Sequence, residues 1–267
     1  MKTLRYVWSV WMTLSLIFLT GCQADPEEIP SEPAVTGRVF VRPQGAWENE
    51  SASNGAPETK TVDQEKLTYT FEAWTRGPEA KCVFQQTASG SMQEGVQLEI
   101  SLIPGTYDFL FWADYGTGHY LTTNLKQVQV VTTPYQPGSR NDAFSCALEQ
   151  VTWDGTTTCQ AVLKRPVARV KFFNAENFSQ AKTVSVVYGG LYTSYNVLTG
   201  EVSDLRTLLT VSYPETTVGS SQIGEDFLFV PAEGSSLSFS IAVGNVTKVV
   251  DRVPLRANYS TNISSLF

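Results

Sequence analysis

Hydrophobic and polar residues alternate along most of this chain, with a period of two. Over 97–103, Leu98, Ile100 and Leu102 share one face while Gln97, Glu99 and Ser101 share the other. Over 236–243, Leu237, Phe239, Ile241 and Val243 repeat the pattern. Such alternation predicts strands with one buried and one wet face. Further strands are predicted at 37–42, 67–74, 82–86, 107–113, 128–131, 159–164, 168–173, 183–188, 226–230 and 248–253. Pro104-Gly105, Pro137-Gly138, Asp154-Gly155 and Gly189-Gly190 punctuate them as turns. No stretch has the periodicity of a long amphipathic helix, and 204–209 is expected to form one short helical turn. Strands separated by turns, without alternating helices, predict an all-β protein of antiparallel sandwiches.

The run Tyr107-Asp108-Phe109-Leu110-Phe111-Trp112-Ala113-Asp114-Tyr115 breaks the alternation. It reads as a central strand buried on both faces, with a sugar-stacking aromatic platform as the competing reading. A Pro/Gly loop at 135–142 and a fresh set of strands from LKRPVARVKFFN onward place a boundary near 150–162. The expected organisation is two tandem sandwiches at 36–155 and 156–267, each about 110 residues, an ordinary domain size. No strong internal repeat is visible in the sequence.

The N-terminus follows other rules. Met1 to Arg5 is short and positive, and 6–19 is apolar and uncharged. That run is shorter than the roughly 20 residues of a membrane-spanning helix and fits the apolar core of a secretory signal peptide. Leu19-Thr20-Gly21-Cys22 closes it and resembles the lipobox of bacterial lipoproteins. The resemblance implies that 1–21 is a cleaved leader and that Cys22 carries lipid. The protein would then be held at the membrane by more than one acyl chain rather than spanning it. Residues 22–35, rich in Pro and Glu, read as a flexible acidic tether, and 48–57 as a long loop.

Net charge is −7, and losing Lys2 and Arg5 with the leader makes it more negative. An acidic surface repels phosphate backbones, so no nucleic-acid partner is expected. Of four cysteines, lipidation of Cys22 leaves Cys82, Cys146 and Cys159, an odd number for an exported protein. Cys146 and Cys159 flank Trp153-Asp154-Gly155, a candidate hairpin turn; they either pair or remain buried thiols, and spacing does not choose. His119 is the only histidine, which excludes His-cluster metal sites. It lies in the 115–120 loop and reads as solvated. Ser179-Gln180-Ala181-Lys182 matches Ser-x-x-Lys but lacks its partner motifs. No phosphate loop, dinucleotide fingerprint or metal-ligand motif occurs, so no cofactor, metal or enzymatic activity is expected. Trp47, Trp74 and Trp153 are the candidates for an exposed glycan-binding surface.

Six stretches in order resemble fimbrillin-like lipoproteins of Bacteroidales. They are IPGTYDFLFWAD (103–114), RNDAFSC (140–146), LKRPVARVKF (163–172), YTSYNVLTGEV (192–202), FLFVPAEG (227–234) and VPLRANYSTNI (253–263). The resemblance implies transthyretin-like sandwiches and a surface role in adhesion, as a fimbrial subunit, tip or anchor. It implies fimbrial partners joined by β-strand addition, in which a protease removes a first strand and a neighbour's strand fills the groove. Arg38 and Arg42 are the candidate cleavage points; as basic side chains on a strand they are equally well ordinary. The chain stops soon after Asn262, leaving little spare strand to donate, which fits an anchor or accessory unit better than a polymerising one. Asp25, Glu27 and Glu28 resemble the acidic signal that exports Bacteroidales lipoproteins to the outer face. The expected location is therefore the cell surface, anchored in outer-membrane lipid.

Overall fold

The computed structural model describes residues 32–49, 66–156 and 158–267. Cys22, Asp25, Glu27 and Glu28, and most of the tether, lie outside the described residues. The strands run in chain order as β1 (Val35–Pro43), β2 (Lys66–Trp74), β3 (Cys82–Ser91), β4 (Val96–Leu102), β5 (Gly105–Asp114), β6 (Tyr120–Leu121) and β7 (Val128–Val130). Then come β8 (Ala143–Trp153), β9 (Thr158–Leu163), β10 (Val167–Phe173), β11 (Val184–Gly189), β12 (Leu191–Tyr195) and β13 (Val202–Arg206). The last are β14 (Leu209–Tyr213), β15 (Gln222–Phe229), β16 (Ser235–Val243), β17 (Val246–Leu255) and β18 (Ser260–Ile263). All twelve strands predicted from alternation are present. The helical turn expected at 204–209 is not: β13 occupies it, with Asp204 at a positive φ of 55°.

Topology reveals a repeat that the sequence hides. In the N-terminal half, β4-β1-β9 faces β3-β2-β5-β8; in the C-terminal half, β15-β10-β18 and β14-β11-β16-β17 have the same order. Each pairing has its counterpart in the same sense. The sandwiches are all-β and mainly antiparallel, as expected, with one parallel pairing in each half, β1 with β9 and β10 with β18. The repeat extends to an irregularity. The β5–β8 ladder shifts register between Tyr107 and Phe109, and β16–β17 between Leu237 and Phe239. Gln150 and Arg252, on the opposite strands, take φ of 57° and 59°. In each bulge the freed N–H donates to a side chain between the two shifted residues, Gln150 to Asp108 at 3.0 Å and Arg252 to Ser238 at 3.3 Å. A bulge with a capped N–H is a built feature, since an extra residue otherwise leaves its backbone unpaired.

Two elements break the repeat. The β6–β7 hairpin is inserted between β5 and β8, and β12–β13 between β11 and β14. They meet, because β7 pairs with β12. A third hydrophobic core forms there, between those of the two halves, around Trp47, Trp112, Leu125, Val128, Phe227 and Phe229. This explains the unbroken apolar run of β5. Tyr107, Phe109, Phe111 and Ala113 point into the N-terminal core, while Leu110 and Trp112 point into the seam core. The strand alternates, but both faces are dry. β15 does the same for the C-terminal half, with Leu228 in that half's core and Phe227 and Phe229 in the seam.

Close packing uses glycine where a ring needs room. Trp153, fully buried, lies so near the backbone of Gly37 that a Cβ there would meet its ring at 2.6 Å. Gly224 gives Tyr213 the same space at 2.5 Å.

Candidate functional site

The candidate region is the seam where the halves join, through Lys164-Arg165-Pro166. Arg165 lies two residues beyond the end of β9 and is 4% exposed. Its Nε donates to both oxygens of Asp142, at 3.0 and 2.8 Å, and Nη1 donates to the carbonyls of Gln44 and Ala46, both at 3.3 Å. The guanidinium lies 4.1 Å from the Trp47 ring centroid and 4.6 Å from that of Phe144. Burial pushes the Asp142 carboxyl up to about 6 despite Arg165, so the pair is ionic at neutral pH. Beside it, residues 47–49 cross to the C-terminal half. Glu48 N–H donates to the Asn258 carbonyl at 3.0 Å, and the Asn49 amide exchanges hydrogen bonds with the Ser260 backbone at 2.7 and 2.9 Å. Asn49 thus extends the edge of β18 with a side chain in place of a strand. Pro33–Phe267 form one compact unit.

A second buried group lies where the 131–142 segment crosses β15. Asp226, wholly buried, accepts from Tyr135 at 2.9 Å, Tyr188 at 3.1 Å, Tyr213 at 3.2 Å and the Phe227 N–H at 2.9 Å. No cation pairs with it among the described residues. Burial pushes its carboxyl up to about 7, and the four donors only partly offset this. His119 is corrected from a solvated loop residue to a buried one. It packs edge-on against Tyr120 and Tyr135, its Nε2 has no hydrogen-bond partner, and burial lowers its pKa to about 4. It is therefore neutral at pH 7.

These groups predict a pH profile. An Asp whose folded pKa exceeds its unfolded value stabilises the fold fully below the unfolded value, and that contribution is lost as pH rises toward 7. His119 acts oppositely, its contribution present above its usual value of 6.5 and lost as pH falls toward 4. Replacing Asp226 by Asn removes the share of the first effect that Asp226 supplies, leaving those of Asp142 and His119 in place. From pH 5 to pH 8, D226N is expected to gain roughly 2–4 kcal/mol relative to the parent, at about 1.4 kcal/mol per pKa unit. Urea unfolding at both pH values measures this; parallel profiles for the two proteins would refute it.

The other sequence candidates are placed as follows. Cys82, Cys146 and Cys159 are free thiols, so the pairing weighed for Cys146 and Cys159 is not formed. The reason is register. β8 and β9 belong to facing sheets, and Ser145 bridges Lys164. That places the two cysteines some four residues, roughly 13 Å, out of step along the strands, well beyond disulfide reach. The 154–155 turn is accordingly a crossover between sheets, not a hairpin. Trp47 is 7% exposed and Trp153 fully buried. Trp74 is half-buried, bonded through Nε1 to Glu72 at 2.7 Å, with Lys126 Nζ 4.1 Å over its ring. These tryptophans form no exposed stacking platform. Arg38 and Arg42 both lie within β1, which is paired on both sides by β4 and β9. Arg38 makes an exposed ion pair with Glu99 at 3.6 Å, and Arg42 precedes Pro43, a bond that trypsin-like proteases do not cut.

Sequence reasoning missed Arg165, Asp142 and Asp226. A charged residue inside an apolar strand pattern, as in GEDFLFV, was the available signal for Asp226. Nothing in the local pattern marks Arg165.

Comparison with known proteins sets the family. No curated protein matches the chain in sequence. Among solved structures, a Bacteroides thetaiotaomicron protein provisionally described as polysaccharide binding is 13% identical, with a TM-score of 0.51 over 78% of this chain and 76% of that one. A provisional adhesin from the same organism is 10% identical, with a TM-score of 0.51 over 87% of this chain and 92% of that one. The tip fimbrial protein Mfa3 of Porphyromonas gingivalis, with a C-terminal truncation, is 14% identical, with a TM-score of 0.48 over 82% of this chain and 81% of that one. At these identities the likeness is one of fold, shared with the provisional adhesin of Bacteroides thetaiotaomicron. A family model matches residues 35–267, which take in every strand from β1 to β18, and by that match the chain belongs to DUF6562, a family of unknown function.

Proposed function

We propose that this protein is a lipid-anchored component of the outer-membrane surface with a structural or adhesive role. It serves as a fimbrial accessory, anchor or tip-like unit and has no catalytic activity. Cys22 carries the lipid, Asp25, Glu27 and Glu28 direct export to the outer face, and fimbrial subunits are the partners through β-strand addition. The observation that carries the reading is the repeated seven-strand sandwich, clamped into one unit by Arg165. Its buried polar groups are spent on joining elements rather than lining a reaction centre, and its fold is shared with the provisional adhesin of Bacteroides thetaiotaomicron. A rigid tandem of sandwiches suits a surface element that transmits load.

Fractionation of the native host tests it. The parent protein is expected in the outer membrane, degraded by proteinase K on intact cells and present in sheared high-molecular-weight fibres, while C22S leaves the membrane fraction. Recovery only as a detergent-released monomer would remove the fimbrial part of the reading. Protection from proteinase K on intact cells would remove the surface part.

A further inference from the structure

The two insertions that break the repeat enclose a groove of about 740 Å³. One wall comes from the turn before β7, with Asn124, Lys126 and Gln127; the other comes from β12–β13 and the loop after β15, with Tyr192, Asn196 and Glu233. Neither insertion is needed to close a sandwich, yet both are held rigidly. Glu72, buried in β2, accepts from the Leu125 N–H at 3.0 Å, and Val197 N–H donates to the Leu125 carbonyl at 2.9 Å.

The polar groups in this groove are preset. Asn124 Oδ1 accepts from the Lys126 N–H at 2.9 Å. Asn196 Oδ1 accepts from the N–H groups of Leu198 at 2.9 Å and Thr199 at 3.3 Å. With each carbonyl committed to backbone, each amide presents its NH2 as a donor in a fixed direction. Gln127, Glu233 and the Tyr192 hydroxyl make no side-chain hydrogen bond among the described residues, and Tyr192 packs against the seam core while lining the groove. Fixed amide donors, an uncommitted amide, a carboxylate and an aromatic ring match the donor, acceptor and apolar faces of a sugar ring. Lys126 is the only cation in the lining, against Glu201 and Glu233. The local charge is thus net negative and disfavours phosphates and acidic sugars.

We propose that the groove between the inserted hairpins binds a neutral oligosaccharide. Recognition runs through vicinal hydroxyls held by Asn124, Asn196, Gln127 and Glu233, with a sugar face against Tyr192. This replaces the tryptophans considered from the sequence, and it is independent of whether the protein assembles into a fibre. A peptide paired to β13 would use backbone edges, whereas the uncommitted groups here are side-chain tips.

Calorimetric titration and saturation-transfer NMR of the purified protein decide the matter. The probes are gluco-, manno-, xylo- and galacto-hexaoses and N-acetyllactosamine, with oligogalacturonate and a Val/Thr-rich peptide as counter-probes. At least one neutral probe is expected to bind saturably. Y192A should weaken it tenfold or more, and Q127A and E233A roughly three- to tenfold each, as for single lost hydrogen bonds. Each variant should retain the parent melting temperature; since Gln127 and Glu233 are exposed, those two report even if Y192A is less stable. Binding of no neutral probe, binding untouched by Q127A and E233A, or binding of only the acidic or peptide probe would overturn the proposal. None of these outcomes bears on membrane anchoring or fibre assembly.

Discussion

Arg165→Ala is expected to destabilise the protein by about 3–5 kcal/mol, because it leaves Asp142 buried without a partner. The guanidinium ties its own segment to three others that are distant in sequence. Asp142 precedes β8, Gln44 and Ala46 follow β1, and Asn258, whose Oδ1 accepts from Nη1 at 3.4 Å, precedes β18. It also fills the space between Trp47 and Phe144, so truncation adds a packing loss to the electrostatic one. Urea unfolding read by tryptophan fluorescence measures the loss. The double variant R165M/D142L tests the cause. If the penalty is the orphaned carboxylate, replacing both partners by apolar side chains should recover most of the stability. If the double variant is no better than the single one, the lost hydrogen bonds to Gln44 and Ala46 dominate instead. R165K is expected to fall short as well, since an ammonium cannot reproduce the planar contacts.

Trypsin is expected to leave the Arg38–Val39 bond intact in the folded protein while cutting it readily in urea. A protease must draw its substrate into an extended, unpaired conformation. β1 is hydrogen-bonded to β4 on one side and β9 on the other, and its Val39 and Val41 are fully buried. Cleavage therefore waits on opening a central strand. If that opening costs about 5 kcal/mol, within the usual range of domain stability, the cut slows by roughly 10³–10⁴-fold. Mass spectrometry of a timed digest for a new N-terminus at Val39 provides the measurement. Retention of β1 fits an anchor or accessory unit. A clean cut that left the remaining sheets folded would point instead to a polymerising subunit, with a groove between β4 and β9 open to a neighbour's strand. Residues 47–49 would then hold the new N-terminal segment against β18, since their bonds to Asn258 and Ser260 lie beyond the cut.

Four of the strands that sequence reasoning missed lack a clean alternation, for different reasons. β13 has no buried residue, and β18 is a short, mostly polar edge, so neither shows an apolar face to detect. β12 contains Thr193 and Ser194, both buried, where the pattern leads one to expect hydrophobic side chains. β8 changes neighbours along its length: its start is buried, its middle is partly exposed, and a bulge at Gln150 shifts its phase. A one-residue bulge inverts the alternation, and a period-two signal does not survive it. The groove was equally hidden, since its walls come from insertions some seventy residues apart that look like ordinary polar loops in isolation.

By itself the sequence determined the class of structure. Period-two patterning, turn residues and the absence of helical periodicity are local properties, and each strand carries its own evidence of which face is buried. The dual burial of β5 was likewise legible, because a strand without a polar face must be dry on both sides. Tertiary structure alone decided which strands pair, that β9 and β18 run parallel to β1 and β10, and that the two halves repeat one topology. It also decided that Arg165, Asp142, Asp226 and His119 are buried, and that Cys146 and Cys159 stand apart. The physical reason is that pairing, burial of charge and hydrogen-bond partnership depend on residues up to some two hundred positions away. A charged side chain looks the same in sequence whether water or Trp47 lies beside it.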